Sequence, residues 1–375
     1  MHALFRRLVS LTALAIVIAL LADANSSGQF IKKDQPDFVV TPQQRSEVID
    51  GLLKQLNDHY IFPDKAREME KAIRSRQEKK EYDAITSAKT FTESLTKHLQ
   101  DVSHDKHLRV ISSRDPLPKP REPSPEERQK MRTRMSKSNF GFEKVERLEG
   151  NIGYLDLHGF SDAEAAGETA AATMTFLANT DALIIDLRKN GGGSPGMVAL
   201  LCSYFFDGRP RHLNSLAWRK SGGEEIQQWW TLPFVPGKKY LDKDVYILTS
   251  ERTFSAAEEF TYNLQTQKRA TIVGEKTGGG AHPGGARPIN DHFAVWVPSG
   301  RAINPVTNTN WEGTGVKPDI AVPEDQALKT AHLTALKKQL ASKEIDEGPK
   351  SQLRRIIEKV QKDLDTLKKA PPAQD

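Results

Sequence analysis

The chain has 375 residues, of which 37% are hydrophobic and 27% charged; 54 basic side chains stand against 49 acidic ones, giving a formal net charge of +5. That length calls for one large or two modest cores. Its lysines and arginines mostly alternate with acids on helical stretches, so there is no dense basic stripe interleaved with aromatics, and a nucleic-acid partner is excluded.

The first residues read as an export signal. Arg6 and Arg7 precede an apolar run from Leu8 to Ala22, and Ala22-Asp23-Ala24 is a small-x-small cleavage pattern. This predicts a signal peptide over residues 1–24 and a periplasmic or secreted protein. The run is short for a membrane span, and no later stretch is long and apolar enough to be one. No cysteine follows it to carry a lipid. The single Cys202 cannot form an internal disulfide, so stability must come from packing.

Residues 25–114 are predicted to form a helical domain. Thr41 is placed to cap a helix carrying Val48, Leu52, Leu53 and Leu56 at helical spacing, and Phe91, Leu95 and Leu99 share one face of a later helix. Residues 115–139 are rich in proline and then in charge, the composition of an exposed linker with at most a turn or two of helix. The period then changes. FGFEKVERL and NIGYLDLHGF alternate like paired strands, DALIIDLRKN reads as a buried strand, and DVYILTS, SAAEEFTYNLQTQ and RATIVGE repeat strand–helix–strand. This predicts an α/β core over residues 140–325 with a largely parallel sheet. Amphipathic helices follow over 326–375, where Leu353, Ile356, Ile357, Val360, Leu364 and Leu367 make one stripe. That stripe could dock on the core or pair protomers as a homo-oligomer.

Within the core, Ser255 in TFSAAEEF follows a strand and opens a helix. A serine there is an N-cap, or a nucleophile whose oxyanion helix-end amides would hold, and the octet alone leaves both open. DLRKNGGGSPG and VGEKTGGGAHPGG are glycine-rich loops after strands, matching no phosphate-binding pattern. Glu312 sits in WEGTGVKPDI. His104 and His107, in HDKHLRV, have metal spacing on a helix but no evident third ligand, so no metal or other cofactor is expected.

Taken in order, D-x-H-L, the strand with NGGG, T-x-S-A-A-E-E-F, G-E-x-T-G-G-G-A and E-G-x-G-V-x-P-D resemble the tail-specific, or C-terminal-processing, serine peptidase family. The closest branch is the one similar to the tricorn protease core and the interphotoreceptor retinoid-binding protein repeats. The resemblance spans roughly residues 40–325. It implies a ClpP/crotonase-like α/β peptidase core behind the helical domain, and a peptide or protein substrate. It implies Ser255 as nucleophile, His107 as general base, Glu312 as the carboxylate completing the charge network, and Gly193 and Ala256 as oxyanion donors. Histidine would take the serine proton during attack and return it to the leaving amine.

The chain also departs from the family. Where the bacterial processing branch has its catalytic lysine, T-G-G-G aligns Gly280, and Lys276 falls four residues early. The serine that precedes the tricorn-like base is replaced by Lys106. His282 is a competing base, being close in sequence to the site loop. Residues 115–155 are too few for the PDZ module of the processing proteases, so substrate would be held at the core sheet edge and by the helical domain. Two other functions fit the same fold: a non-catalytic binding protein for apolar ligands or peptides, and an esterase-like acyl hydrolase.

Overall fold

The computed structural model describes residues 36–119, 121–341 and 347–369; the signal-peptide segment lies outside them. The chain opens with three helices, α1 (Pro42–His59), α2 (Pro63–Glu78) and α3 (Ala88–Ser103). Thr41 caps α1 by accepting from Gln44 N–H, with Pro42 in the first turn, where a missing N–H costs nothing. Ser87 caps α3 through Thr90 N–H.

After α3 comes β1 (Arg109–Ser112), then α4 (Pro125–Ser136) in the predicted linker. α4 has 12 residues, longer than the turn or two of helix expected of the linker; none of them is buried, and a Ser124–Glu127 capping box with Pro125 in the first turn starts it. The core follows as β2 (Phe142–Leu148), β3 (Ile152–Leu157), α5 (Ala163–Leu177), β4 (Ala182–Asp186), α6 (Pro195–Cys202), β5 (His212–Lys220), β6 (Gly223–Trp230), β7 (Asp244–Thr249), α7 (Ala256–Thr266) and β8 (Thr271–Gly274). It continues through β9 (Gly284–Pro288), β10 (Phe293–Pro298), β11 (Gly300–Ile303) and β12 (Ile320–Ala321), and ends in α8 (Glu324–Leu340) and α9 (Glu347–Lys369).

The main sheet has the order β12-β8-β7-β4-β3-β2. Every neighbouring pair in it is parallel except β2–β3. Its central strands read as continuous apolar runs because both faces are covered. One face packs Leu183, Ile185, Val245 and Ile247 against α5, α6 and α7. The other packs Ile184, Tyr246 and Leu248 against α8 and α9, which bury Leu336, Leu353, Val360 and Leu364. The C-terminal stripe is thus a docking face on its own chain.

Two smaller antiparallel sheets complete the molecule, in the orders β1-β10-β9 and β11-β5-β6. The first was not foreseen. β1 leaves the helical segment and pairs with β10, Val110 opposite Val295. Phe293, Val295 and Val297 of β10 share one buried cluster with α1, α2 and α3. The N-terminal helices therefore rest on a sheet built partly from the core, and the turn holding His107 is stitched at its C-terminal end to β10.

Candidate active site

Three turns converge beyond the carboxyl ends of the parallel strands, where open α/β sheets gather their functional loops. The first carries Ser255 between β7 and α7. Its backbone has φ 55° and ψ −122°, a conformation that costs a non-glycine residue roughly 1–3 kcal/mol and persists only where its surroundings enforce it. The enforcing contacts are visible. Phe254 N–H donates to Asn190 O at 3.1 Å, and Ser255 N–H donates to Glu258 Oε2 at 2.9 Å. The side chain is half-buried.

The second turn is the NGGG loop after β4. Asn190 Nδ2 donates to Leu157 O at 2.8 Å, and its Oδ1 accepts Gly192 N–H at 2.9 Å. Phe160 N–H donates to Gly192 O and Ser194 N–H to Phe160 O. Among the described residues, the N–H groups of Gly193 and Ala256 have no hydrogen-bond acceptor. Two glycines are needed here. Gly193 has φ 144°, and a Cβ on it would overlap the Phe160 carbonyl. Gly192 has φ 111°, and a Cβ there would lie 2.9 Å from both Ala256 N and Ser255 Cβ. Gly192→Ala is accordingly expected to lower stability by about 2–4 kcal/mol, combining backbone strain with overpacking. A urea titration checks this; a midpoint equal to that of the wild type would contradict it.

The third turn is the TGGG loop after β8, which Glu258 fastens to the Ser255 turn. The Glu258 carboxylate is fully buried. It accepts from Ser255 N–H, Thr277 Oγ1–H at 2.5 Å, Gly279 N–H at 2.6 Å and Gly280 N–H at 2.8 Å. Burial pushes its carboxyl up to about 7 against the pull of those four bonds. Sequence reasoning gave Glu258 no role, although it stands in the octet around Ser255 and an acid at the third helical position is a capping signal.

His107 meets these turns from the side. It does not lie on a helix: α3 ends at His104, which is in the left-handed region and exposed. Its ring packs on Phe254, centroids 4.6 Å apart, and a Cβ at Gly280 would come within 2.6 Å of His107 Cε1. Its backbone N–H donates to Asp105 Oδ1 at 3.0 Å. Burial lowers the imidazole to about 4, only partly offset by Asp105, so His107 is neutral in neutral solution.

Asp105, Glu312 and His282 close the cluster. Asp105 is fully buried; its Oδ2 lies 2.8 Å from His282 Nδ1 and accepts from Tyr60 O–H at 3.2 Å. Glu312 Oε2 accepts Ala281 N–H at 2.5 Å and lies 3.6 Å from His282 Nδ1. Burial, and then Asp105, raise the Glu312 carboxyl to about 7. One ligand-capable atom from each of Asp105, His107 and Glu312 lies within 4.8 Å of the others. Both candidate bases thus sit in one cluster with Glu312. Among the described residues, neither histidine hydrogen-bonds the Ser255 hydroxyl. Lys276 is exposed and its stem lies near Gly315, while Lys106 donates to Gly278 O at 2.6 Å. Asp105 and Tyr60 were missed as well; Asp105 lies within D-x-H-L but its partners are distant in sequence.

The fold is an α/β core whose parallel sheet is covered on both faces, with a strained serine turn standing between two glycine loops. Residues 151–322 match the model of peptidase family S41, and residues 39–145 match that of the N-terminal domain of this family in eukaryotic IRBP. Over these two segments the chain is similar to peptidase family S41.

Among curated proteins it is 27% identical over 186 residues to the carboxy-terminal-processing protease of Bartonella bacilliformis, covering 48% of this chain and 40% of that protein. It is 24% identical over 184 residues to a Staphylococcus haemolyticus protein named as a CtpA-like serine protease, covering 48% of this chain and 36% of that one. The chain thus spans well under half the length of either. A solved structure from Parabacteroides merdae, named as a candidate peptidase, covers 78% of this chain and 96% of its own at 19% identity and a TM-score of 0.57; the likeness is one of fold. Among the described residues, no helix is long and apolar enough to cross a membrane.

Proposed function

We propose that the protein is a serine peptidase that hydrolyses peptide bonds in peptides or exported proteins, with Ser255 as nucleophile, His107 as base and Glu312 as the supporting carboxylate. The observation that carries the reading is the Ser255 turn. A left-handed serine stands beside two N–H groups, those of Gly193 and Ala256, that lack acceptors. Unpaired donors of that kind, Ala256 buried and Gly193 partly so, are costly unless something binds them, and a carbonyl oxygen gaining negative charge is the partner they suit.

In this mechanism Ser255 Oγ attacks the scissile carbonyl carbon while His107 removes its proton. The oxyanion of the tetrahedral intermediate is held by Gly193 and Ala256. The imidazolium, stabilised by Asp105 and Glu312, then protonates the leaving amine, and water repeats the sequence to free the acyl group. His107 is favoured over His282 because its ring packs on Phe254, the neighbour of Ser255, whereas His282 Nδ1 is turned to Asp105. The neutral state of His107 leaves a lone pair for the proton.

Substrate would enter as an extended strand. β6 is the outer strand of its sheet, and its Trp229 reaches the neighbourhood of Gly196, three residues beyond Gly193. Main-chain pairing along that edge would give affinity without a separate peptide-binding module. The basic and apolar segment ending at Ala24 supports export.

The test is reaction of the chain with a fluorophosphonate probe, followed by hydrolysis of a peptide library. Wild type should label, Ser255→Ala should not, and His107→Ala should slow labelling by at least about a thousandfold. Retained labelling in His107→Ala, with loss in His282→Ala, would exchange the two histidines. A wild type that fails to label beside a reactive control peptidase would favour a binding protein, and labelling with hydrolysis of esters only would favour an acyl hydrolase.

A further inference from the structure

We propose that Asp105, His107 and Glu312 form a binding site for a divalent transition metal ion, zinc by its chemistry, and that an ion there silences the site by occupying His107. Binding itself depends only on the geometry; the silencing rests on the reading of His107 as the base.

The three ligand atoms lie within 4.8 Å of one another. Zinc bonds to nitrogen and oxygen at about 2.0–2.2 Å, which places tetrahedral ligands roughly 3.4 Å apart. Closing the triad needs side-chain movements of about an ångström. Two atoms in the cluster are already short of partners: His107 Nδ1 and Glu312 Oε1 are buried without a hydrogen bond. Orphaned buried polar atoms are rare and costly, and an ion bound by these residues offers both of them something to satisfy. A cation would also offset the crowding of the fully buried Asp105 carboxylate by that of Glu312.

The outer contacts are those expected around metal ligands. Asp105 Oδ2 is held by His282 Nδ1 at 2.8 Å and Tyr60 O–H at 3.2 Å. Glu312 Oε2 is held by Ala281 N–H. Such partners fix ligand orientation. One imidazole with two carboxylates suits zinc, cobalt or nickel; calcium and magnesium prefer all-oxygen shells of six or more. Binding displaces only protons, which pass to solvent.

The test uses the full chain carrying Ser255→Ala, so that no chemistry intrudes. Zinc is titrated by calorimetry, and cobalt is followed by its visible absorption. One ion per chain is expected, with affinity lowered at least about tenfold in both Glu312→Gln and His107→Gln, each confirmed as folded by circular dichroism. No binding overturns the proposal, as does equal affinity in either folded variant. If Glu312→Gln does not fold, the cobalt spectrum of His107→Gln decides, since loss of an imidazole ligand must change it. In a separate arm, zinc should slow fluorophosphonate labelling of the wild type at least about tenfold, with recovery on chelation. Unchanged labelling at saturating zinc would overturn the silencing. A wild type that never labels would instead sink the peptidase reading, leaving the metal site to be judged by the calorimetry alone.

Discussion

Glu258→Gln should cost at least about 3 kcal/mol of stability and slow labelling of Ser255 at least about a hundredfold. The carboxylate accepts four hydrogen bonds, two on each oxygen, and three come from backbone N–H groups that cannot reverse direction. A glutamine fills the same volume but turns its NH2 toward two of those donors. The damage falls on the elements that matter most: Ser255 N–H sits in the strained turn, and Gly279 and Gly280 carry the loop against His107 and Phe254. Thermal unfolding and labelling rate, measured side by side, check it. A variant with the wild-type midpoint and rate would mean that the loop holds its shape without Glu258.

A second large effect concerns pH. Burial raises Glu312 to about 7 and Glu259 to about 8. A carboxyl whose folded value is raised binds its proton more tightly when folded. Its stabilising contribution is complete below about 4.5 and is lost as pH rises through 7 to 8. His107 has the opposite sign: its value is lowered to about 4, so stability falls as pH drops from about 6.5 toward 4. The two trends meet in mildly acidic solution. Because the carboxyls outnumber the one histidine between about pH 4.5 and 6.5, stability should be greatest near pH 4.5 and fall by at least about 3 kcal/mol by pH 8.5, since a tenfold difference in proton affinity between the folded and unfolded chain is worth about 1.4 kcal/mol per group. Glu259→Gln should flatten that decline, because an amide in the same place no longer has to ionise. Denaturant titrations at a series of pH values provide the measurement, and unfolding free energies constant or rising between pH 6 and 8.5 would refute the account.

Much of this architecture was legible because its signals are local. The run DALIIDLRKN declares a strand buried on both faces, and Thr41 with Pro42 declares a helix start. The C-terminal stripe of Leu353, Val360 and Leu364 declares a face that must be covered, and it is covered by the cluster that α8 shares with the sheet. The order of the motifs pointed to the family as well. What stayed hidden depends on contacts between distant segments. Nothing in RVIS announces pairing with FAVWVP, since Val110 and Val295 meet only after the chain has folded back. Asp105 and His282 are adjacent in space and 177 residues apart in sequence. The φ of Ser255 is imposed by Asn190 and Glu258, and serine is not a residue whose identity advertises a left-handed backbone. Glu258 looked like an ordinary first-turn acid because its other partners lie on another loop.

The pairing of β1 with β10 has a consequence for what a cut in the chain would do. The described stretch between β1 and β2 carries the exposed α4 and a short 3-10 turn at Asn139–Gly141, while the helices before it and the strands after it share the cluster around Phe293, Val295 and Val297. Proteolytic nicking there would sever the covalent path and leave the folded body joined through its core. The product would be a two-chain protein, separating into fragments under denaturing electrophoresis but migrating as one species under native conditions, with the His107 turn supplied by one fragment and Ser255 by the other.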